Sequence, residues 1–116
     1  MDFDIRVANP IIDDEDIENV VRALKEKRLS SGKYAEIFEK KFAEFIGVKH
    51  AVSMNSASSA LLVMLEAKKI GKDDEVITTP YTYAATANVI ILQGAKPVFV
   101  DIENESYNID PSKIEE

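Results

Sequence analysis

Cysteine is absent from this sequence, and histidine occurs once in its 116 residues. Disulfides, thiolate metal sites and cysteine nucleophiles are therefore excluded, and so is a metal centre built mainly from histidine. The chain also has only four glycines. Neither a Walker phosphate loop nor a G-x-G-x-x-G dinucleotide motif can be assembled from them, because each motif needs closely spaced glycines.

Basic residues are outnumbered. Lysine and arginine total 14 against 21 aspartates and glutamates, which gives a formal charge of −7. This balance argues against a protein that binds the phosphate backbone of nucleic acids. The first residues, Met1 to Asp4, contain no basic segment leading into an apolar run, so no signal peptide is visible. No apolar run is long enough to span a bilayer. We expect a soluble, cytoplasmic protein that binds neither nucleic acid nor membrane.

The first part of the chain predicts two helices. Residues 13–28 carry an apolar stripe at helical spacing, with Asp13 as the N-cap, acidic residues in the first turn and basic residues in the last. Residues 34–45 predict a second helix, which Gly47 would close as a C-terminal cap.

The remainder alternates between strand and helix patterns. Strands are predicted at residues 50–54, 75–79 and 96–101, and helices from Ala57 towards Gly71 and from Thr82 to Leu92. The last strand has a nearly continuous apolar run, which is typical of a strand buried on both faces. A βαβαβ order with short connections predicts an α/β fold with a mainly parallel sheet flanked by helices.

The last residues predict another helix. Asp110 would cap it and Pro111 would occupy its first position. Only Ser112 to Glu116 follow, and a helix that short does not offset its nucleation cost. We therefore expect the chain to be a truncation of a longer protein.

Parallel α/β sheets bind ligands at the carboxyl ends of their strands. Asn55, Ser56, Ala57, Ser58 and Ser59 stand at one predicted strand end and lead directly into a helix. Free amides at a helix start with hydroxyls beside them suit an anion such as a phosphate monoester. Simple capping of the helix by Asn55 and Ser56 explains the same residues and is the commoner case.

Two aromatic residues follow the next predicted strand. Tyr81 and Tyr83 lie at its junction with a helix, where their rings could cover a flat cofactor or could simply pack into the core. Ser30 and Ser31 could line a pocket, although a polar turn between helices is the simpler interpretation. Asp101 could be catalytic, but capping of the following turn is favoured.

The order of these segments resembles the DegT/StrS sugar aminotransferases, which are fold-type I enzymes that use pyridoxal 5′-phosphate (PLP). The resemblance covers almost the whole chain and is carried by these segments: residues 30–32, 38–39, 42–43, 47–52, 55–61, 74–77, 80–88, 94–102 and 107–111.

The resemblance implies roles for individual residues. Ala57 and Ser58 match the end of the family's asparagine-serine-glycine-threonine segment, which wraps the PLP phosphate. The family's glycine is alanine here, which requires an ordinary backbone conformation at position 57. Tyr83 matches the aromatic residue that stacks on the pyridine ring. Ser30 and Ser31 match a turn near the substrate entrance and are candidate substrate-binding residues.

The resemblance also implies what the chain would lack. No lysine here matches the catalytic lysine, which we expect downstream of Glu116 together with the aspartate that pairs with the pyridine nitrogen and the small C-terminal domain. Residues 1–116 would then be the N-terminal portion of the PLP-binding large domain, and the isolated chain would be inactive.

As a whole, the protein would be a homodimer that transfers an amino group, with glutamate as the expected donor, to a nucleotide-linked keto-sugar in cell-envelope polysaccharide biosynthesis. No metal is implied. Two alternatives stay open: a PLP-dependent sugar dehydratase of the same fold, whose distinguishing residue lies outside this chain, and a non-catalytic α/β binding or regulatory module.

Overall fold

The computed structural model describes residues 8–27 and 29–115. The chain forms two compact units, which divide between Ser53 and Met54. Within the described residues, no helix combines the length and the apolar character that crossing a membrane requires.

The first helix of the first unit is α1 (Asp14–Lys25). The predicted cap at Asp13 is confirmed: its carboxylate accepts the Asp16 amide at 3.0 Å, and the Asp16 carboxylate accepts the Asp13 amide at 3.2 Å. This reciprocal capping box satisfies two amides at the helix start. The helix ends before its predicted limit because Lys27 adopts a left-handed backbone with φ 55°. Arg28, the predicted last residue, lies outside the described residues.

The second helix is α2 (Lys33–Ile46), which confirms the prediction to within its end residues. Gly47 closes the helix as predicted, in the left-handed conformation with φ 78°. Its amide and that of Val48 both donate to the carbonyl of Ala43 at 2.9 Å. Among the residues described in this unit, only Ala43 is buried.

The predicted strand at residues 50–54 is wrong, because this segment forms no strand. A strand exists only where a neighbouring strand supplies hydrogen bonds to its backbone, and the described part of the chain supplies none here. Instead, the Ser53 amide and the Ser53 hydroxyl both donate to the same carboxylate oxygen of Glu39, each at 2.8 Å. A side chain on α2 therefore takes the place of a strand neighbour at this residue.

The second unit confirms the predicted order from the third helix onward. Its elements are α3 (Ala57–Ala67), β1 (Glu75–Thr78), α4 (Ala85–Leu92), β2 (Lys96–Phe99) and a short 3-10 turn, Pro111–Lys113. Both helices are shorter than predicted. The helix α3 ends at Ala67 instead of continuing to Gly71, and the chain turns at Lys69, which has a left-handed φ of 59°. The helix α4 begins at Ala85 and not at Thr82. The predicted start at Asp110 is confirmed, since its carboxylate accepts the Ser112 amide at 3.0 Å.

The strands β1 and β2 pair in parallel, and α4 forms the crossover that packs against both. The register sets Glu75 opposite Lys96 and Thr78 opposite Phe99. Among the described residues the sheet has these two strands, so the predicted βαβαβ order is reduced to βαβ. The core of the unit comprises Thr78, Val89, Ile90, Ala95 and Val100.

The prediction that the last strand is buried on both faces is wrong. Phe99 is 53% exposed, and Lys96 is exposed as well. Burial of both faces requires a layer of structure on each side and neighbouring strands at each edge. The described residues of this unit supply the α3–α4 layer and a single neighbour, β1.

Candidate functional site

The helices α3 and α4 run in the same direction, side by side. Near their C-terminal ends, the side-chain amide of Gln93 donates to the carboxylate of Glu66. Near their starts, Leu61 of α3 and Thr86 of α4 line one cavity of about 170 Å³. The two helix starts therefore lie at the same end of the second unit, which is also the carboxyl end of β1.

Ser56 caps the start of α3. Its backbone is extended, its hydroxyl oxygen accepts the Ser59 amide at 3.1 Å, and its carbonyl accepts the Ala60 amide at 3.1 Å. The capping interpretation is thus correct for Ser56. It leaves the amides of Ala57 and Ser58 without a hydrogen-bond acceptor among the described residues.

These unused donors suit an anion. The first amides of a helix point outward along its axis, and the helix dipole favours negative charge there. The Ser58 hydroxyl likewise has no hydrogen bond to another described residue, and the Ser58 side chain is half-buried. Two amides and one hydroxyl therefore form a donor set of the kind that binds a phosphate monoester.

Ala57 meets the condition set by the sequence. It is the first residue of α3 and is not among the residues with positive φ. Alanine at this position therefore carries no backbone strain where the family has glycine.

Tyr83 lies between β1 and α4 with 81% of its surface exposed. Its carbonyl accepts the Thr86 amide at 2.9 Å, which ties its backbone to the first turn of α4. The hydroxyls of Thr82 and Thr86 add a second tie at 3.1 Å. The backbone of Tyr83 is thus fixed while its ring stays open to a flat ligand.

Tyr81 behaves differently from Tyr83. Its ring packs against the ring of Tyr107, with centroids 5.8 Å apart and planes at 35°. Tyr81 therefore packs against one other ring at the surface and not in the core, since it is 65% exposed. The interpretation that a ring covers a flat cofactor is retained for Tyr83. The sequence pattern could not separate the two, because Tyr107 lies far along the chain.

Ser30 and Ser31 belong to the first unit, whereas Ala57, Ser58 and Tyr83 belong to the second. Both serines are exposed and lie between α1 and α2, just before Gly32. This placement agrees with a polar turn between helices, and their substrate-binding role stays a prediction.

Asp101 performs the turn-capping role that the sequence favours. Its carboxylate accepts the Ile102 amide at 2.8 Å and lies 3.6 Å from the Lys113 ammonium. No group of His, Cys, Asp or Glu side chains within the described residues could hold a metal ion.

Among the described residues, two carboxyl groups have a lowered pKa, and each accepts hydrogen bonds from a serine. The backbone amide of Ser53, and then its hydroxyl, lower the pKa of Glu39 by stabilising the carboxylate. The hydroxyl of Ser112, and then its amide, lower the pKa of Asp110 in the same way. Sequence reasoning missed the Glu39–Ser53 contact, since nothing in the spacing of residues 14 apart marks them as partners.

Comparison with known proteins gives the class. The PLP-form of Spr1654 from Streptococcus pneumoniae, which is named as a sugar aminotransferase, matches this chain with a TM-score of 0.90 at 31% identity. The match covers 97% of this chain and 29% of that one. The fold is therefore that of the PLP-dependent aminotransferases. More specifically, the chain belongs to the DegT/DnrJ/EryC1/StrS aminotransferase family, whose model matches residues 10–116.

Two curated relatives agree with this assignment. The spore coat polysaccharide biosynthesis protein SpsC of Bacillus subtilis is 51% identical over 106 residues, which cover 91% of this chain. The UDP-4-amino-4,6-dideoxy-N-acetyl-beta-L-altrosamine transaminase of Campylobacter jejuni is 48% identical over 104 residues, or 90% of this chain. The chain spans 27% of the length of each of these relatives.

Proposed function

We propose that this chain is the N-terminal portion of the PLP-binding large domain of an enzyme that moves an amino group from an amino acid to a nucleotide-linked keto-sugar. The observation that carries the proposal is the pair of unused amides at Ala57 and Ser58, at the same end of the second unit as the exposed ring of Tyr83. A phosphorylated flat cofactor requires both features together.

The relatives support the substrate class. One is named a transaminase of a UDP-linked amino sugar, and another a spore coat polysaccharide biosynthesis protein. We propose by analogy that the whole protein acts in cell-envelope polysaccharide synthesis. Glutamate as amino donor, a homodimeric assembly and substrate contacts from Ser30 and Ser31 belong to the same proposal.

Within it, this chain binds and orients. The amides of Ala57 and Ser58 and the Ser58 hydroxyl would hold the phosphate, and the α3 dipole would favour its negative charge. The Tyr83 ring would cover one face of the pyridine and exclude water from it. When bound, PLP supplies the electron sink for the reaction. The lysine and the aspartate that the family uses beside it are expected downstream of Glu116.

The test uses the isotope-labelled chain and pyridoxamine 5′-phosphate, a probe that lacks the aldehyde and so does not react with exposed lysines. We expect titration to shift the NMR signals of the Ala57 and Ser58 amides and of the Tyr83 ring. Inorganic phosphate should shift only the two amides, and pyridoxamine without phosphate should bind much more weakly.

A proline at position 57 sharpens the test. It removes one donor amide, yet proline is favoured at the first position of a helix, and the extended Ser56 before it is compatible with that change. We expect Ala57→Pro to weaken phosphate binding several-fold with α3 intact. Ser59→Ala is the control, because it keeps the Ala57 and Ser58 amides and the Ser58 hydroxyl and removes only a hydroxyl that accepts from the Ser56 hydroxyl. Equal affinity of the wild type and Ala57→Pro would overturn the proposed site.

A further inference from the structure

Tyr107 has a left-handed backbone with φ 58°. This region favours glycine and asparagine, and a bulky residue is uncommon there. Lys27 and Lys69 share such a φ, but each directly follows the cap of a helix, where left-handed residues are usual. Asp73 also has a left-handed φ, of 74°, and aspartate is among the residues enriched there. Tyr107 follows no such helix. Backbone strain of this kind persists only where the surrounding structure holds it, and it clusters at functional sites, so the contacts of the Tyr107 ring are informative.

The loop around Tyr107 imposes this conformation. The Tyr107 amide donates to the Glu103 carbonyl at 3.0 Å, and the Glu103 amide donates to the Asn108 carbonyl at 2.9 Å. Ile102 and Ile109, which flank these residues in the chain, form an antiparallel bridge that closes the loop. The closed loop therefore sets the direction of the Cα–Cβ bond of Tyr107.

The ring of Tyr107 lies against the ring of Tyr81. Tyr81 belongs to the segment that carries Tyr83 and joins β1 to α4. That segment is held at its start by the Tyr81 amide, which donates to the Thr79 hydroxyl at 3.2 Å, and at its end by the Thr86 amide on the Tyr83 carbonyl. Tyr81 is 65% exposed, so the ring of Tyr107 contributes much of the packing around its side chain.

We propose that Tyr107 is a positioning residue, whose ring clamps Tyr81 and thereby limits the motion of residues 79–86, the backbone segment that presents the Tyr83 ring to a flat phosphorylated cofactor. The inference rests on the proposed function for its ligand. Its structural part, the immobilisation of residues 79–86, stands independently of any ligand.

Three variants test the clamp. Tyr107→Asn keeps a residue that adopts a left-handed backbone but removes the ring, whereas Tyr107→Phe keeps the ring. Tyr81→Leu removes the other ring of the pair without altering the loop. We expect faster amide hydrogen exchange at Tyr81 and Thr86 in Tyr107→Asn and Tyr81→Leu, with Tyr107→Phe unchanged. Amides at the start of α3 should exchange as in the wild type in all three.

Binding gives the second measurement. An aromatic contact of this kind corresponds to about two- to ten-fold in an equilibrium constant. We expect Tyr107→Asn and Tyr81→Leu to weaken binding of pyridoxamine 5′-phosphate by this factor while the affinity for inorganic phosphate stays unchanged. Tyr107→Phe should match the wild type for both probes.

The outcomes separate the two claims. If the wild type binds neither probe at Ala57 and Ser58, the proposed function fails, and the exchange data still decide the clamp. If the wild type binds both probes but exchange and affinity in Tyr107→Asn equal those of the wild type, the clamp is overturned. Equal weakening of both probes in Tyr107→Asn would also overturn it, because the ring would then act on the unit as a whole.

Discussion

The two units of the chain are stabilised in different ways. In the first, Ala43 is the buried residue among those described, and the apolar stripe of α1 is exposed, with Ile17 at 54% and Val20 at 61%. In the second, residues from α4, β1 and the flanks of β2 bury one another. The first unit thus depends on bonds near in sequence, such as the Asp13 capping box, and the second depends on packing between elements.

The difference shows which forces act at each place. An exposed apolar stripe contributes little, because hydrophobic stabilisation scales with the area removed from water. Caps and side-chain bridges then carry a larger share of the stability of the first unit. In the second unit the parallel pairing and the α4 crossover bring distant residues together, so burial dominates.

The largest expected effect is in the core of the second unit. Ile90 is 2% exposed on α4, so Ile90→Ala should cost about 2–5 kcal/mol of unfolding free energy through lost burial and the cavity left behind. Its neighbour Ile91 is 59% exposed, and Ile91→Ala is the matched control, expected to cost below about 0.5 kcal/mol. Denaturant unfolding followed by amide signals of residues 75–99 measures both.

Ile17→Ala is the equivalent change in the first unit. It should cost as little unfolding free energy as Ile91→Ala, because both side chains are exposed on helices. A loss at Ile17 as large as that at Ile90 would mean that the stripe of α1 is buried in solution. The contrast between the units would then be wrong.

The same contrast explains what the sequence could predict. The N-cap at Asp13, the C-cap at Gly47 and the start at Asp110 depend on residues a few positions apart, and all three are confirmed. The prediction of a strand at residues 50–54 is wrong because a strand forms only beside a partner strand, which the local sequence pattern does not reveal. The predicted helix limits at residue 28 and at Gly71 are wrong because the chain turns earlier, at Lys27 and Lys69, and lysine gives no sequence signal for a left-handed turn.

In the candidate site, too, features set by neighbouring residues were predictable and features set by distant residues were not. Ser56 as a cap, and the free amides after it, were predictable from the composition of residues 55–59. The distinction between Tyr81 and Tyr83 was not, because it depends on Tyr107, which the chain brings close only through the loop after β2. The family resemblance indicated Tyr83, whereas local physics alone left both rings equivalent.

The second expected effect concerns the capping box of α1. Asp13→Ala removes the acceptor for the Asp16 amide and should cost about 1 kcal/mol of helix stability. Because α1 has no buried residue whose packing could offset the lost cap, the change should appear as faster amide exchange along its first turns. Glu18→Ala, an exposed change in the middle of α1, is the control and should leave exchange nearly unchanged.

The smallest expected effect is the dependence of the Glu39–Ser53 contact on pH. The pKa of Glu39 is lowered in the folded chain from its ordinary value of 4.5, first by the Ser53 amide and then by the Ser53 hydroxyl. The stabilisation is therefore fully present above the ordinary pKa and is lost as pH falls through the lowered one. We expect the NMR shift of the Ser53 amide to titrate with a midpoint below 4.5.

Glu39→Gln keeps an oxygen that accepts both bonds but does not titrate, so this transition should vanish while Ser53 stays protected from exchange at neutral pH. Loss of that protection in Glu39→Gln would show that the carboxylate charge holds the segment, and a midpoint above 4.5 in the wild type would show that the contact does not form in solution.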